Sequence, residues 1–143
     1  MSLSFNMTET ITLYHGTDYE SALSILKTGL RKDSCLTNDL DTALDFALST
    51  CECNGVSKDE AEIIEIQVDK NSLYVDYPAY EEPLTLYRNN WASTDREWHE
   101  MCDNGEIPYP TDKTDVDVAL MVTGCVRTSI AIDSSKCKLH SNK

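Results

Sequence analysis

The run Leu13-Tyr14-His15-Gly16-Thr17 carries the side chains in this chain best suited to chemistry. The two ring nitrogens of histidine donate and accept hydrogen bonds near neutral pH, which suits His15 to grip a ribose hydroxyl. Gly16, lacking a Cβ, lets a planar ligand approach the backbone amide and carbonyl closely. Each residue also has an ordinary reading. A histidine at a strand end is commonly a satisfied core or surface residue, and Thr17 is accounted for as a helix N-cap. Metal chemistry has less to work with. Of the six cysteines (Cys35, Cys51, Cys53, Cys102, Cys125 and Cys137) only Cys51 and Cys53 are close, and His15, His99 and His140 are scattered. Structural zinc sites favour paired ligands such as C-x2-C, so no metal is expected. Reduced, mostly buried thiols are the simpler expectation.

The elements that must position His15 read clearly in the first half of the chain. Ile11, Leu13 and His15 alternate onto one face, as in a half-buried strand over Thr10–His15. Thr17-Asp18-Tyr19-Glu20 has the capping-box form, Ala22, Ile25 and Leu26 keep helical spacing, and Gly29 sits where a helix would end. A short strand over Ser34–Thr37 follows. Asn38 or Thr37 then offers an N-cap for a second helix, with Leu40, Ala43, Leu44 and Ala47 as its apolar stripe and Cys51–Gly55 as its end. Ile64, Ile66 and Val68 point inward from a strand, and Leu73-Tyr74-Val75 makes another that Pro78 stops.

The second half is less regular. Thr94-Asp95-Arg96-Glu97 is a capping box opening a short helix with Trp98, Met101 and Cys102, closed by Gly105. Val116, Val118, Leu120 and Val122 alternate as in a strand, Gly124 turns the chain, and Ser129–Ile132 reads as the last strand. The order is β-α-β-α-β-β, an irregular middle with one helix, then β-β, which indicates an α+β domain. The G-x-G-x-x-G fingerprint of a Rossmann dinucleotide site is absent.

Composition narrows the function classes. A chain of 143 residues fits one domain, 1–143, with 1–9 and 134–143 expected to fray. With 12 basic and 25 acidic residues the net charge is −13, which disfavours nonspecific binding to nucleic-acid phosphates. No apolar run approaches the ~18 residues of a membrane span. No basic segment followed by an apolar one opens the chain, so a cytoplasmic protein without disulfides is expected.

Tyr14-His15-Gly16-Thr17, the helix with Ala22, Ile25, Leu26 and Gly29-Leu30, and Leu36-Thr37 followed by Phe46-Ala47 together resemble the ADP-ribosyltransferase superfamily. That group includes poly-ADP-ribose polymerases, diphtheria-like toxins and, closest in pattern, rifampicin-modifying transferases. The similarity covers about Leu13 to Asp76 and is weak over the final strands. It implies a split antiparallel β-sheet core with two N-terminal helices. It also implies NAD as the substrate, with His15 on a hydroxyl of the nicotinamide ribose, Gly16 on the carboxamide, and Thr17 near the adenine-side ribose. Tyr14 would belong to the same cofactor-binding segment, Arg31 would be the nearest cation for the pyrophosphate, and an unidentified protein or small molecule would accept the ADP-ribose. Cys35 stands where the family usually has a tyrosine stacking on nicotinamide, a departure unless Tyr19, Tyr74, Tyr77 or Tyr80 supplies the aromatic face.

The resemblance also calls for an acid, because cleaving the nicotinamide–ribose bond creates an oxocarbenium-like centre that a carboxylate stabilises. Asp76 matches the aspartate after the middle strand of the rifampicin-modifying enzymes, and Asp117 lies where polymerases carry their glutamate. Either is equally readable as a solvated carboxylate, Arg31 as a surface ion-pair partner, and Trp91 and Trp98 as packing. Two other readings compete with the transferase. One is an inactive acidic member of the fold acting as a binding or inhibitor protein. The other, which four arginines make a poor fit, is an RNA 2′-phosphotransferase.

Overall fold

A computed structural model describes residues 9–83 and 91–140. The chain forms β1 (Thr10–Asp18), α1 (Tyr19–Thr28), β2 (Cys35–Thr37), α2 (Leu40–Asn54), β3 (Ala61–Asp69), β4 (Leu73–Val75), α3 (Pro78–Glu81), α4 (Asp95–Asp103), α5 (Val116–Val122), β5 (Cys125–Thr128) and β6 (Cys137–Leu139). The strands make one antiparallel sheet in the order β4-β5-β2-β1-β3-β6, so the domain is α+β. Among the described residues no helix is long and apolar enough to cross a membrane.

β1 and β3 are paired along their whole length, from Thr10↔Asp69 to Asp18↔Ala61. Strand alternation then sorts the side chains. Leu13, His15 and Thr17 share one face with Ile64, Ile66 and Val68, while Tyr14 and Gly16 share the other with Ile63 and Glu65. The first face holds the core: Leu13, Ile64, Ile66, Leu36, Val126 and Val75 are almost wholly buried, and α1 adds Ala22 and Ile25. On the second face α2 lies directly against Gly16. A Cβ there would meet the Ala43 carbonyl oxygen at 1.8 Å, so only glycine admits this helix so close to the strand.

The helix boundaries differ by one residue from those the sequence suggests. The β1–β3 ladder carries Thr17 as a strand residue, and Asp18 caps α1 instead, its Oδ1 accepting from the Ser21 N–H at 2.8 Å. Likewise Asp39, rather than Asn38 or Thr37, caps α2. The buried stripe of α2 is Ala43, Ala47 and Cys51, whereas Leu40 and Leu44 are exposed. Small residues face the sheet because the helix axis lies too near it for leucine. Thr94 caps its helix as expected, its hydroxyl accepting from the Glu97 N–H.

Three expectations for the second half are corrected. Val116–Val122 is a helix, burying Val116, Ala119 and Val122 at helical spacing. The late strand is Cys125–Thr128, pairing with β2 and β4, and Ser129–Ile132 contributes only the bridge Leu30↔Ile132. The tail does not fray after Ser134, since Cys137–Leu139 adds an edge strand to β3. Residues 1–8 and 141–143 lie outside the described residues.

Candidate functional site

β1 meets β2 through the single described pair Tyr14↔Thr37. Continuing that register would set Gly16 opposite Cys35, but the strands part there. The His15 ring spans the gap instead, its Nδ1 lying 2.9 Å from the Cys35 carbonyl oxygen. Because a carbonyl only accepts, the proton must sit on Nδ1. Burial lowers the pKa of His15 below its ordinary value, with the Cys35 bond opposing, so the ring is neutral near pH 7 and Nε2 is left as an acceptor.

Beside His15 lies a cleft of about 330 Å³. Its walls are the outward ends of His15 and Thr17, the Ser21, Ser24 and Thr28 side of α1, and the segment after the helix, including Arg31 and Ser34. Gly29 shapes its corner. This residue takes φ +93°, and a Cβ on it would meet the Ile132 carbonyl oxygen at 2.4 Å. The cleft therefore offers an imidazole acceptor, several hydroxyls and one guanidinium, a set that fits a polyhydroxylated, phosphate-bearing ligand.

Cys35 is also tied to Asp76. Its Sγ donates to Asp76 Oδ2 at 3.4 Å, and neighbouring Cys125, burial and Asp76 all push the thiol pKa far up, which keeps the proton on sulfur. Asp76 itself is 4% exposed. Arg127 Nε approaches its Oδ1 at 3.4 Å, close enough for charge attraction but not aligned for a hydrogen bond, so Oδ1 has no hydrogen-bond partner. The same arginine donates from Nη1 to the Asp33 carbonyl at 3.0 Å, and the Tyr74 hydroxyl donates to Asp33 Oδ1 at 2.8 Å. These contacts hold Asp33 in its left-handed turn, φ 67°, just before β2.

The other sequence candidates fall elsewhere. Tyr14 points to the opposite face from His15, its ring edge-on to His140. The missing side chain of Gly16 is explained by α2. Asp117 is exposed in the first turn of α5 and ion-paired with Lys70 at 2.6 Å, because the segment is a helix and not the strand edge expected. None of Tyr19, Tyr74, Tyr77 and Tyr80 lines the His15 cleft, and neither does a carboxylate. Trp98 is core, donating from Nε1 to the Tyr80 carbonyl at 2.6 Å. Trp91 is half-buried and packs against the same core.

Two contributions were not anticipated. The hydroxyl stripe Ser21, Ser24 and Thr28 is signalled by i, i+3, i+7 spacing opposite the apolar side of α1. Arg127, the cation beside Asp76, carries no local signal, because only β2–β5 and β4–β5 pairing bring it there. The six cysteines are unpaired, and no group of three or more potential ligands among the described residues is placed to hold a metal. Comparison with protein-family models, with curated proteins and with solved structures finds no match to this chain.

Proposed function

We propose that the protein is an NAD-dependent ADP-ribosyltransferase of the kind its first half resembles, with the nicotinamide end of NAD seated at the His15–Cys35 seam. One observation carries the reading. His15, Cys35 and Asp76 are far apart in sequence, yet Cys35 touches both of the others, through its carbonyl and its thiol. These are positions at which the resemblance places functional residues, Asp76 being one of its two candidates for the acid. Cys35 links them through the sheet: its carbonyl meets the His15 ring on the α1 side and its thiol meets Asp76 on the α2 side. In this reading Nε2 of His15 accepts from a ribose hydroxyl, Arg31 offers charge to the pyrophosphate, and the α1 hydroxyls face the remaining sugar. The reaction breaks the bond between the ribose anomeric carbon and the nicotinamide nitrogen, whose electron pair leaves with nicotinamide. A lone pair of the acceptor forms the new bond to that carbon, and its proton passes to a base, for which Asp76 is the candidate. A cytoplasmic location belongs to the same proposal.

A second reading has its own support. Asp76 is nearly inaccessible and engaged by Cys35 and Arg127, and the cleft walls hold no carboxylate and no tyrosine, tryptophan or phenylalanine ring. A protein so built binds an ADP-ribose-bearing ligand without turning it over. The two are separated by incubating the protein with NAD labelled in the adenosine moiety and a cell lysate. Transfer of label and release of nicotinamide, both lost in Asp76→Asn, support the transferase. Saturable NAD binding with neither product supports the binding protein.

A further inference from the structure

A second cleft, sharing no residue with the first, lies where α3, α4 and the segment at Tyr109 meet. It has a volume of about 460 Å³ and is lined by Tyr80, Glu81, His99, Cys102, Asp103 and Tyr109. Tyr109 is about half exposed, its ring 4.8 Å from that of Tyr80 and 6.1 Å from that of Tyr77. One wall of the cleft is thus aromatic, with the half-exposed Tyr109 ring as its accessible part, and aromatic rings attract cations.

The carboxylates at its rim are not explained by the fold. Glu81 and Asp103 form no ion pair with a described lysine or arginine, and each is the last residue of its helix. The C-terminal end of a helix carries partial negative charge, so a carboxylate at the end of α4 works against helix stability. Beneath the rim, the Tyr80 hydroxyl is buried without a hydrogen-bond partner, among neighbours that include Cys102 and Tyr109, both walls of the cleft. Two unmatched carboxylates and a half-exposed ring, set over an orphaned hydroxyl, are the surroundings that a planar cation suits.

We propose that this cleft binds a guanidinium group, presented as the arginine side chain of a basic polypeptide. A planar guanidinium stacks on Tyr109 while its five N–H groups reach both carboxylates, which a compact ammonium cannot do at once. The net charge of −13 draws a basic partner toward the surface and raises its encounter rate. The site stands whether or not the His15 cleft holds NAD.

The test is an amide-resolved NMR titration of the whole chain with Nα-acetyl-L-arginine amide. The neutral, nearly isosteric citrulline derivative and the lysine derivative serve as controls. The expected result is saturable shifts confined to residues 77–81 and 98–109, absent with citrulline and at least tenfold weaker with lysine. Glu81→Gln combined with Asp103→Asn should weaken binding at least tenfold while leaving the unfolding midpoint unchanged or slightly higher. Shifts spread over the surface, equal binding of citrulline or lysine, or undiminished binding by the double variant would each overturn the proposal.

Discussion

His15 and Cys35 are joined across the seam of the sheet by a side-chain-to-backbone bond, Nδ1 to carbonyl oxygen at 2.9 Å, at the point where β1 and β2 stop pairing. The bond fixes the tautomer of the ring and so decides which nitrogen meets a ligand. Side-chain substitutions at Cys35 leave this carbonyl in place, and what they change is the hold on Asp76.

From that relationship follows a spectroscopic expectation. Nitrogen-15 spectra of the imidazole should show His15 neutral, with the proton on Nδ1, at pH 7. Because burial lowers its folded pKa, the unfolded chain takes up this proton first as the pH falls below ~6.5, and stability declines on the acid side of that value. A ring protonated on Nε2 at neutral pH would contradict the assigned geometry.

Gly16→Ala tests the contact between β1 and α2. Its methyl would overlap the Ala43 carbonyl, which neither helix backbone nor paired strand can readily yield. Denaturant unfolding should show a loss of about 3 kcal/mol, at the upper end for overpacking. A loss under ~0.5 kcal/mol would mean that the helix stands farther off.

Arg127 balances the buried charge of Asp76. Breaking a buried ion pair from one side costs roughly 3–5 kcal/mol. Arg127 has 36% of its side chain exposed, so water moderates the effect and Arg127→Met should cost about 2 kcal/mol. Adding Asp76→Asn should recover part of that loss, and a double-mutant cycle measures the coupling. Strict additivity would show that the two charges do not interact.

Asp18 caps α1 and also accepts from Asn54 Nδ2 at 2.7 Å on its second oxygen. Asp18→Ala should cost about 1–2 kcal/mol near neutral pH. The Ser21 N–H and the Asn54 amide hold the carboxyl below its usual pKa, outweighing burial. Its contribution is therefore complete above pH ~4 and is lost as the pH falls through the lower folded value. The gap between wild type and variant should close in strong acid, and a gap constant with pH would exclude the capping role.

Where local pattern and tertiary contact agree, the sequence is readable. Ile64, Ile66 and Val68 alternate because one face of β3 is core, and Thr94 caps α4 through a bond three residues away. The alternating valines from Val116 misled because Ala119 supplies the missing helical position, so the same residues satisfy both periods. The strand β6 is nearly invisible because an edge strand needs just one inward residue, Cys137. At the candidate site, His15 is singled out by its type and its place at a strand end, whereas Asp76 is one of two acids suggested only by the resemblance. Their common link to Cys35 and the approach of Arg127 depend on sheet register, which no local spacing encodes.

The most direct test of the seat assigned to NAD is its effect on thermal unfolding of the wild type and of His15→Ala. At about a hundred times its dissociation constant, a ligand bound by the native state alone adds about 2.7 kcal/mol, an upward shift of several degrees. The account predicts that rise for the wild type and its loss in His15→Ala, each protein being compared with its own unliganded midpoint. An unmoved wild-type midpoint in millimolar NAD, or an equal rise in the variant, would contradict it.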